Sequence, residues 1–519
     1  MEGCYTGANA RIRSSLLADD FFLADAFLLT ALQLMAALFI LVVGLGALVV
    51  VVVFIRDVTQ NRHTITRNFP VIGHFRYALE HLGKFLRQYL FALDREELPF
   101  NRAQRTWVYR SAKNEPSNAA FGSTKEIREP GIILFNNCPF PRLEANVSAP
   151  GPVTVGPDCP HPYTTSAFFH ISGMSYGALS EPAVRALSHG AAEAGCWLNT
   201  GEGGLAPAHL EGGADIVFQI GTAKYGVRDA EGRLDPAKLA EVAGHEQVRM
   251  VEIKLAQGAK PGKGGILPAC KVTPEIARVR GIPEYQASIS PNRHPEIDSN
   301  DELLDFIERV RTITGKPTGF KMVMGDPGWI DALAEAIHAR GAQSAPDFIT
   351  LDGAEGGSGA APMSLMDNMG MSRFEGLPLL VSKLAEHGLR ERIRVIVSGK
   401  MVTPESVAWG LAAGADFVAS ARGFMFAIGC IQSLRCDADT CPTGVTTHNP
   451  RLQKGLEPAV KGPRAASYFR RMTHEVGVIA HSCGVADPRD LRPDHFRLVT
   501  GPATSIRGDT WLEQGRRAG

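Results

Sequence analysis

Short apolar runs alternate with amphipathic stretches from about residue 165 to residue 430, and this pattern constrains the fold more than any other feature. It predicts an α/β fold in which crossover helices join parallel strands, either a doubly wound sheet or a (β/α)8 TIM barrel. Glycine-rich, polar loops follow nearly every predicted strand, which favours the barrel. The predicted strands are AFFHI (167–171), IVFQI (216–220), RMVEIK (249–254), GFKMV (319–323), DFITL (347–351), RIRVIV (392–397) and DFVAS (416–420).

Composition narrows the class of protein. The 519 residues suffice for two or three domains, or for one large barrel with extensions. Basic and acidic residues number 54 each, so we expect no nucleic-acid partner. The nine cysteines are odd in number and unevenly spaced, unlike a secreted disulfide framework.

An uncharged stretch from Ala26 to Ile55 exceeds the roughly 20 apolar residues that cross a bilayer. A cleaved signal peptide has a shorter apolar core and a basic start, whereas Asp19, Asp20 and Asp25 precede this one. We therefore expect a retained transmembrane helix within residues 1–60. The positive-inside rule predicts a single-pass anchor with the large C-terminal part in the cytoplasm. The basic residues behind this prediction are Arg56, Arg62, Arg67 and Arg76 after the stretch, against Arg11 and Arg13 before it.

As an alternative, a second short membrane-associated segment around Leu16–Leu29 would form a hairpin with the transmembrane helix.

The remaining chain divides into three parts. Residues 61–165 are a lead-in. Within it, residues 74–100 are predicted to be helical, lying near the membrane surface or packing on the main domain, and residues 101–160 an irregular extension. Residues 166–450 hold the predicted barrel, and residues 451–519 a tail whose helix (464–484) packs on it.

Three cysteines lie close together in GCIQSLRCDADTCPTG (429–444). Closely spaced thiolates in a reducing compartment usually hold metal, because a disulfide would not persist there. Cys430, Cys436 and Cys441 are one ligand short of the usual four, which suits a [3Fe–4S] cluster. Ordinary buried thiols are the alternative interpretation.

Four loops after predicted strands carry further chemistry. They are SGMSYGALS (172–180), NTGEGG (199–204), EIKLAQGAKPGKGG (252–265) and DGAEGGSGA (352–360). Glu202 is a charge among glycines that offer it no packing, which indicates a functional carboxylate. Lys254, Gln257 and Lys260 recur every three residues and can converge on an anionic ligand, the alternative being a solvated basic loop.

The last two loops, SGKMVTPES (398–406) and ASARGF (419–424), follow the last two predicted strands, which we take as the seventh and eighth of a barrel. In barrels these loops commonly bind phosphate through backbone N–H groups. A Rossmann fingerprint is absent, because the only G-x-G near an apolar run, at Gly44 and Gly46, lies inside the predicted transmembrane helix. FMN therefore fits better than a dinucleotide.

These motifs, with GC-x5-C-x4-CPTGV, resemble in order the FMN-binding synthase domain of glutamate synthase, and most of all its stand-alone members. The resemblance covers about residues 165–450. It implies a (β/α)8 barrel that carries FMN and a [3Fe–4S] cluster, and an oxidoreductase that reductively aminates 2-oxoglutarate to L-glutamate through 2-iminoglutarate.

Site residues carried over from the resemblance fall into three groups. The cluster ligands would be Cys430, Cys436 and Cys441. Substrate would be bound by Ser175, Gln257, Lys260 and Arg280, with Glu202 and Lys254 catalytic. The cofactor would lie on Gly173, Met174, Ser175, Asn199, Thr200, Lys254, Gly356, Gly357, Ser398, Gly399, Lys400, Ala421 and Arg422.

The chain departs from the family pattern in several ways. It has no glutaminase domain with a nucleophilic cysteine, for which Cys4 is no substitute, and no long C-terminal β-domain. Val402 takes the usual basic position of the phosphate loop. The segment SPNRHPE (290–296) keeps His294 in altered surroundings.

Partners follow from these departures. We expect ammonia to come free or from a separate amidotransferase subunit, and electrons from ferredoxin or a partner reductase. The alternatives are another amine or keto acid, as in an N-methylglutamate synthase-type reaction, and an inactive membrane-bound scaffold.

Overall fold

A computed structural model of the chain describes residues 6–146 and 149–518, with side chains for residues 27–145 and 149–513. Cys4 lies outside the described residues. The chain separates into two units, Met1–Glu97 and Leu98–Gly519. The domain boundaries expected at residues 60, 165 and 450 remain predictions.

The first unit is helical. Its helices span Thr6–Thr59, Thr64–Asn68 and Gly73–Leu86, and a π-helical turn follows at Arg87–Phe91. Within the described part of the chain, one helical segment, Phe27–Thr59, is long and apolar enough to cross a bilayer, as in membrane anchors and signal sequences. The segment Leu16–Leu29 belongs to the same uninterrupted helix, so the alternative of a hairpin there is wrong.

The second unit contains a closed barrel of eight parallel strands, which confirms the predicted fold. Neighbouring strands in the chain pair in parallel throughout, and β8 pairs with β1 to close the barrel. We label the strands β1 Phe169–Ile171, β2 Leu198–Asn199, β3 Ile216–Ile220, β4 Val248–Lys254, β5 Thr318–Met322, β6 Phe348–Asp352, β7 Arg394–Ser398 and β8 Phe417–Ser420.

Helices form the layer outside the strands. The longer ones span Glu181–Ala194, Pro236–Gly244, Asn300–Thr314, Gly328–Arg340, Arg373–Glu386, Pro404–Ala412 and Pro458–Ser482. Shorter ones span Pro207–Leu210, Pro274–Arg280, Met363–Met366, Arg422–Ile428 and Pro450–Gln453. The long tail helix contacts both Glu181–Ala194 and Pro404–Ala412, so it completes the outer layer rather than covering an end of the barrel.

Two helices, a three-stranded sheet and two strand pairs lie outside the barrel strands. A helix, Arg102–Ala112, begins at a capping box in which Asn101 and Gln104 satisfy each other's backbone N–H groups. The prediction that residues 101–160 are irregular is therefore wrong for this helix. A three-stranded sheet joins Ile133–Phe135, Phe496–Gly501 and Thr504–Arg507, and a helix Gly508–Ala518 follows it. The remaining pairs are Val153–Val155 with Tyr163–Thr165, and Ile266–Leu267 with Ser288–Ile289.

The barrel interior is apolar at one end and polar at the other. Val155 and Tyr163, from the pair Val153–Val155 and Tyr163–Thr165, pack on an apolar cluster inside the barrel. This cluster includes Trp197, Phe348 and Phe417. Toward the carboxyl ends of the strands the interior is polar. There Glu252 accepts hydrogen bonds from Asn199, Gln219 and Thr350. A buried carboxylate is stable there only because donors surround it. Ligands are therefore expected at the carboxyl end, where the loops emerge.

Candidate active site

A cleft opens at the carboxyl ends of the barrel strands, and it encloses about 1020 Å³ including its open mouth. This is the size of sites that bind small organic cofactors and substrates. The predicted residues that line it are Gly173, Met174, Ser175, Glu202, Lys254, Gln257, Lys260, Arg280, Gly357, Ala421, Arg422 and Cys436. The loops after β1, β2, β4, β6 and β8 thus meet in one site, as the sequence predicts for loops at one end of a barrel.

Four charged side chains lie at the centre of the cleft. Lys254, the last residue of β4, places its Nζ 2.9 Å from Oε1 of Glu202, and both side chains are nearly buried. Lys260 and Arg280 are also buried, at 5% and 4% exposure. Three cations and one carboxylate thus share a space from which most water is excluded.

Burial and charge act in opposite directions on these groups. Burial alone would raise the pKa of Glu202, but the cations of Lys254, Lys260 and Arg280 outweigh it and lower that pKa below the ordinary value. Glu202 is therefore ionised at neutral pH. Burial lowers the pKa of Lys260 to about 8, with Lys254 adding to the shift and Glu202 opposing it.

Arg280 ends the short helix Pro274–Arg280, and its neighbours fix its guanidinium. Nη2 donates to the carbonyl of Tyr176 at 2.9 Å, Nη1 donates to Ser288 Oγ at 3.3 Å, and the group lies 4.9 Å from the ring centroid of Tyr225. Its Nε is buried and has no hydrogen-bond partner among the described residues. An anionic ligand in the cleft could supply that partner.

A second pocket adjoins the cleft between the loops after β7 and β8. It is lined by Ser398, Gly399, Lys400, Ala421 and Arg422, and by Gly356 and Gly357 from the loop after β6. Lys400 is more than half buried, and this burial lowers its pKa. Arg422 is held by the carbonyl of Ser358 at 2.7 Å. Two cations beside glycine-rich backbone suit a phosphate group.

Two glycines in these loops pack so closely that a side chain would not fit. A Cβ on Gly173 would lie 2.7 Å from Asn199 Oδ1, so a side chain cannot be added without moving that amide. Gly399 has a φ of +108°, a conformation that L side chains rarely adopt. Both pockets share Gly173, Gln257, Gly357, Ala421 and Arg422, so one elongated ligand can occupy both.

Asn199 and Thr200 do not line either pocket. Asn199 is buried behind Gly173, where its amide donates to Glu252 at 2.8 Å and accepts from the Gly201 N–H at 2.9 Å. Thr200 Oγ1 accepts from the backbone of Gln219. Their place is in the wall behind the site, and they hold the loop that carries Glu202. Val402, at the position where a basic residue is usual, is buried.

His294 also lies behind the site. Its Nε2 donates to the carbonyl of Lys254 at 3.0 Å. Burial and the charge of Lys224 lower its pKa to about 4, so the ring is neutral and supports the backbone of Lys254.

Several lining residues were missed from the sequence. Lys321 of β5 lines both pockets, and its Nζ lies 3.6 Å from Asp352 Oδ2. Asp352 is also bound by Ser398 Oγ at 2.6 Å and by the Gly258 N–H at 2.8 Å, so it joins three loops. A lysine inside the predicted strand GFKMV was the available signal, since a charge in an apolar strand seldom faces a core.

The cysteine segment lies beside the cleft. Cys436 lines it, and Cys430 and Cys441 are buried. Burial raises the pKa of the Cys430 thiol to about 11, with Cys436 and Cys441 adding to the shift. Among the residues that the structure describes, no three His, Cys, Asp or Glu side chains converge as a single metal ion requires. The iron–sulfur cluster expected on these three cysteines therefore stays a prediction.

Residues outside the motif hold this segment. Lys271 Nζ donates to the carbonyls of Ala178, Cys436 and Thr446 at 2.8–3.2 Å, which ties the cysteine segment to the loop after β1. From the missed helix Arg102–Ala112, Tyr109 donates to the Cys430 carbonyl at 2.8 Å.

Comparisons with known proteins identify the family of this chain. The family profile described as the conserved region in glutamate synthase matches residues 151–486. A glutamate synthase large subunit-like protein of Bacillus subtilis, YerD, is 37% identical over 520 residues, which cover 92% of this chain and 98% of that protein. An archaeal glutamate synthase (NADPH) of Methanocaldococcus jannaschii is 34% identical over 330 residues, covering 63% of this chain and 61% of that protein.

A third relative, a glutamate synthase large subunit-like protein of Rhizobium meliloti, is 31% identical over 364 residues, covering 66% of this chain and 78% of that protein. The profile match extends over more than half of the chain, and the first relative aligns over nearly its whole length. The chain therefore belongs to the glutamate synthase family, and it is an oxidoreductase of the class that acts on CH–NH2 groups.

Proposed function

We propose that this protein reductively aminates 2-oxoglutarate to L-glutamate, with FMN and a [3Fe–4S] cluster as cofactors. The observation that carries the proposal is the convergence of Glu202, Lys254, Lys260 and Arg280 in one cleft that continues into a phosphate-sized, cationic pocket. The anion-binding and cofactor-binding parts of the reaction thus lie side by side.

The charges in the cleft match a dicarboxylate. Around Glu202, the cations of Lys254, Lys260 and Arg280 exceed the single carboxylate by two positive charges. The two carboxylates of 2-oxoglutarate supply two negative charges, and Arg280 can bind one of them bidentately. A buried, unbalanced charge is costly, so a dicarboxylate ligand would stabilise these cations.

The pocket residues fit FMN. Lys400 and Arg422 would hold its phosphate, and a planar ring would lie against the backbone of Gly173, which lines both pockets. Bound FMN supplies the hydride that reduces an imine carbon. Cys430, Cys436 and Cys441 would hold the cluster that passes electrons to the site.

The protein's own side chains position the substrate and handle protons. Ammonia adds to the keto carbon of 2-oxoglutarate with loss of water, and the resulting imine takes up a hydride and a proton to give glutamate. Glu202 is ionised, so its role is to hold Lys254 Nζ at 2.9 Å rather than to act as an acid. Lys260, with a pKa of about 8, has a dissociable proton near neutral pH.

The partners remain part of this proposal. Ammonia would arrive free or from a separate amidotransferase subunit, and electrons from ferredoxin or a partner reductase. The apolar helix would be a single-pass anchor that keeps the barrel in the cytoplasm, because Phe27–Thr59 suffices to span a bilayer and basic residues follow it.

Turnover of the purified full-length protein tests the proposal. With 2-oxoglutarate, ammonia and a chemical reductant, we expect glutamate, flavin released on denaturation, and an iron–sulfur paramagnetic signal on oxidation. Methylamine giving N-methylglutamate at a higher rate would favour the alternative amine. Colourless protein with neither flavin nor iron would leave only the scaffold alternative.

A further inference from the structure

The helix Gly73–Leu86 in the first unit has a continuous apolar face that the described residues leave uncovered. Ile72, Phe75 and Leu79 are 72%, 67% and 63% exposed, and Leu82 continues the row. Spacings of three and four residues place these side chains on one face of the helix. Arg76 and Arg87 flank this apolar row, and Lys84 lies on the opposite side of the helix. Exposed apolar rows of this length normally mark an interaction surface.

The start of this helix is fixed to the end of the apolar helix. The carboxylate of Asp57 is buried and lies 2.9 Å from Nε2 of His74. The same carboxylate accepts the Val71 N–H at 2.9 Å. The corner is tight, since a Cβ on Gly73 would lie 3.0 Å from Thr66 Cα. The amphipathic helix therefore begins beside the last turns of the segment Phe27–Thr59.

We propose that the helix Gly73–Leu86 lies in the membrane interface, with its apolar face among the acyl chains and its basic side chains among anionic lipid headgroups. The inference rests on the proposed membrane anchor, because the Asp57–His74 contact places the helix where that anchor leaves the bilayer. In-plane helices of this kind combine a wide apolar face with a basic polar face. Anionic headgroups attract basic residues close to a membrane surface.

Photocrosslinking of the full-length protein tests the inference. Benzoylphenylalanine would replace Phe75 or Leu79 on the apolar face, His81 on the opposite face, or Leu41 inside the proposed anchor. His81 lies nine residues after Ile72, about two and a half turns along the helix. Each variant is reconstituted in vesicles of equal phosphatidylglycerol and phosphatidylcholine, irradiated, and its adducts are identified by mass spectrometry.

We expect lipid adducts at Phe75 and Leu79 in yields at least fivefold above that at His81, with phosphatidylglycerol enriched over its half share. Adducts from Phe75 or Leu79 to residues 98–519, or to a second copy of the chain, would overturn the inference. An unbiased lipid ratio would overturn its electrostatic part. Lipid adducts at Leu41 without any at Phe75 would leave the anchor standing and reject the interfacial helix, whereas none at Leu41 would reject the anchor itself.

Discussion

The pKa of Lys260 leads to a prediction about substrate binding that depends on one proton. Burial lowers this pKa to about 8, so the ammonium is roughly nine-tenths charged at pH 7 and roughly one-tenth charged at pH 9. The charged form attracts a dicarboxylate and the neutral form does not. Binding of 2-oxoglutarate should therefore weaken as the pH rises through 8, by about tenfold between pH 7 and 9.

Replacement of Lys260 by arginine removes the titration while keeping the charge. We expect Lys260→Arg to bind 2-oxoglutarate with a dissociation constant that stays flat from pH 6 to 10, because a guanidinium does not lose its proton there. Loss of a hydrogen bond to a charged group costs about 1.5–3 kcal/mol, so Lys260→Gln should bind 2-oxoglutarate about 10- to 200-fold more weakly at pH 7. Lys263→Arg, on the exposed side of the same loop, is the matched control and should keep the wild-type profile.

The measurement is equilibrium titration of the oxidised holoprotein with 2-oxoglutarate, followed by flavin absorbance or by heat. Equilibrium binding is preferable to turnover, because the supply of neutral ammonia also changes with pH. If Lys260→Arg shows the same loss of affinity above pH 8 as the wild type, another group titrates and the argument from burial is refuted.

Three further substitutions test separate parts of the site. Glu202→Gln should lower kcat by about 100-fold through misplacement of its lysine partner while leaving 2-oxoglutarate affinity unweakened; unchanged kcat with weaker binding would contradict this. Gly173→Ala should abolish retention of flavin, since its Cβ would lie 2.7 Å from a buried amide oxygen, whereas Gly244→Ala has no atom within 4 Å of its Cβ and should retain it. Cys436→Ser should lose iron and the paramagnetic signal, and Cys270→Ser, at an exposed cysteine, should not; equal iron contents would remove the cluster assignment.

The barrel could be predicted because its strands are apolar and its loops are rich in glycine, and seven of the eight strands were found within a few residues of their observed ends. The strand Leu198–Asn199 was missed, since two residues cannot show a periodicity. The helix Arg102–Ala112 was missed among turn residues, although the capping pair Asn101 and Gln104 was a usable signal.

The charged residues of the cleft were predictable from motifs, but the contacts that control them were not. The sequence indicated that Lys254 and Lys260 share a loop, while their separation from Glu202 depends on how the loops after β2 and β4 fold toward each other. Lys321 escaped notice because it lies inside an apolar strand, and Asp352 because its partners Gly258 and Ser398 come from other loops. Asn199 and Thr200 belong to a predicted motif, yet they lie in the wall behind the site and do not line it.

The charge of the cleft discriminates between keto acids more strongly than between amines. Around Glu202, the cations of Lys254, Lys260 and Arg280 exceed the single carboxylate by two charges whichever amine enters, so we expect both proposed reactions to take a dicarboxylate. A monocarboxylate such as pyruvate would leave one buried cation without a counter-charge, and an uncompensated buried charge is costly. The basic residues thus restrict the acid partner. Discrimination between ammonia and methylamine must instead come from the space available at the reacting carbon.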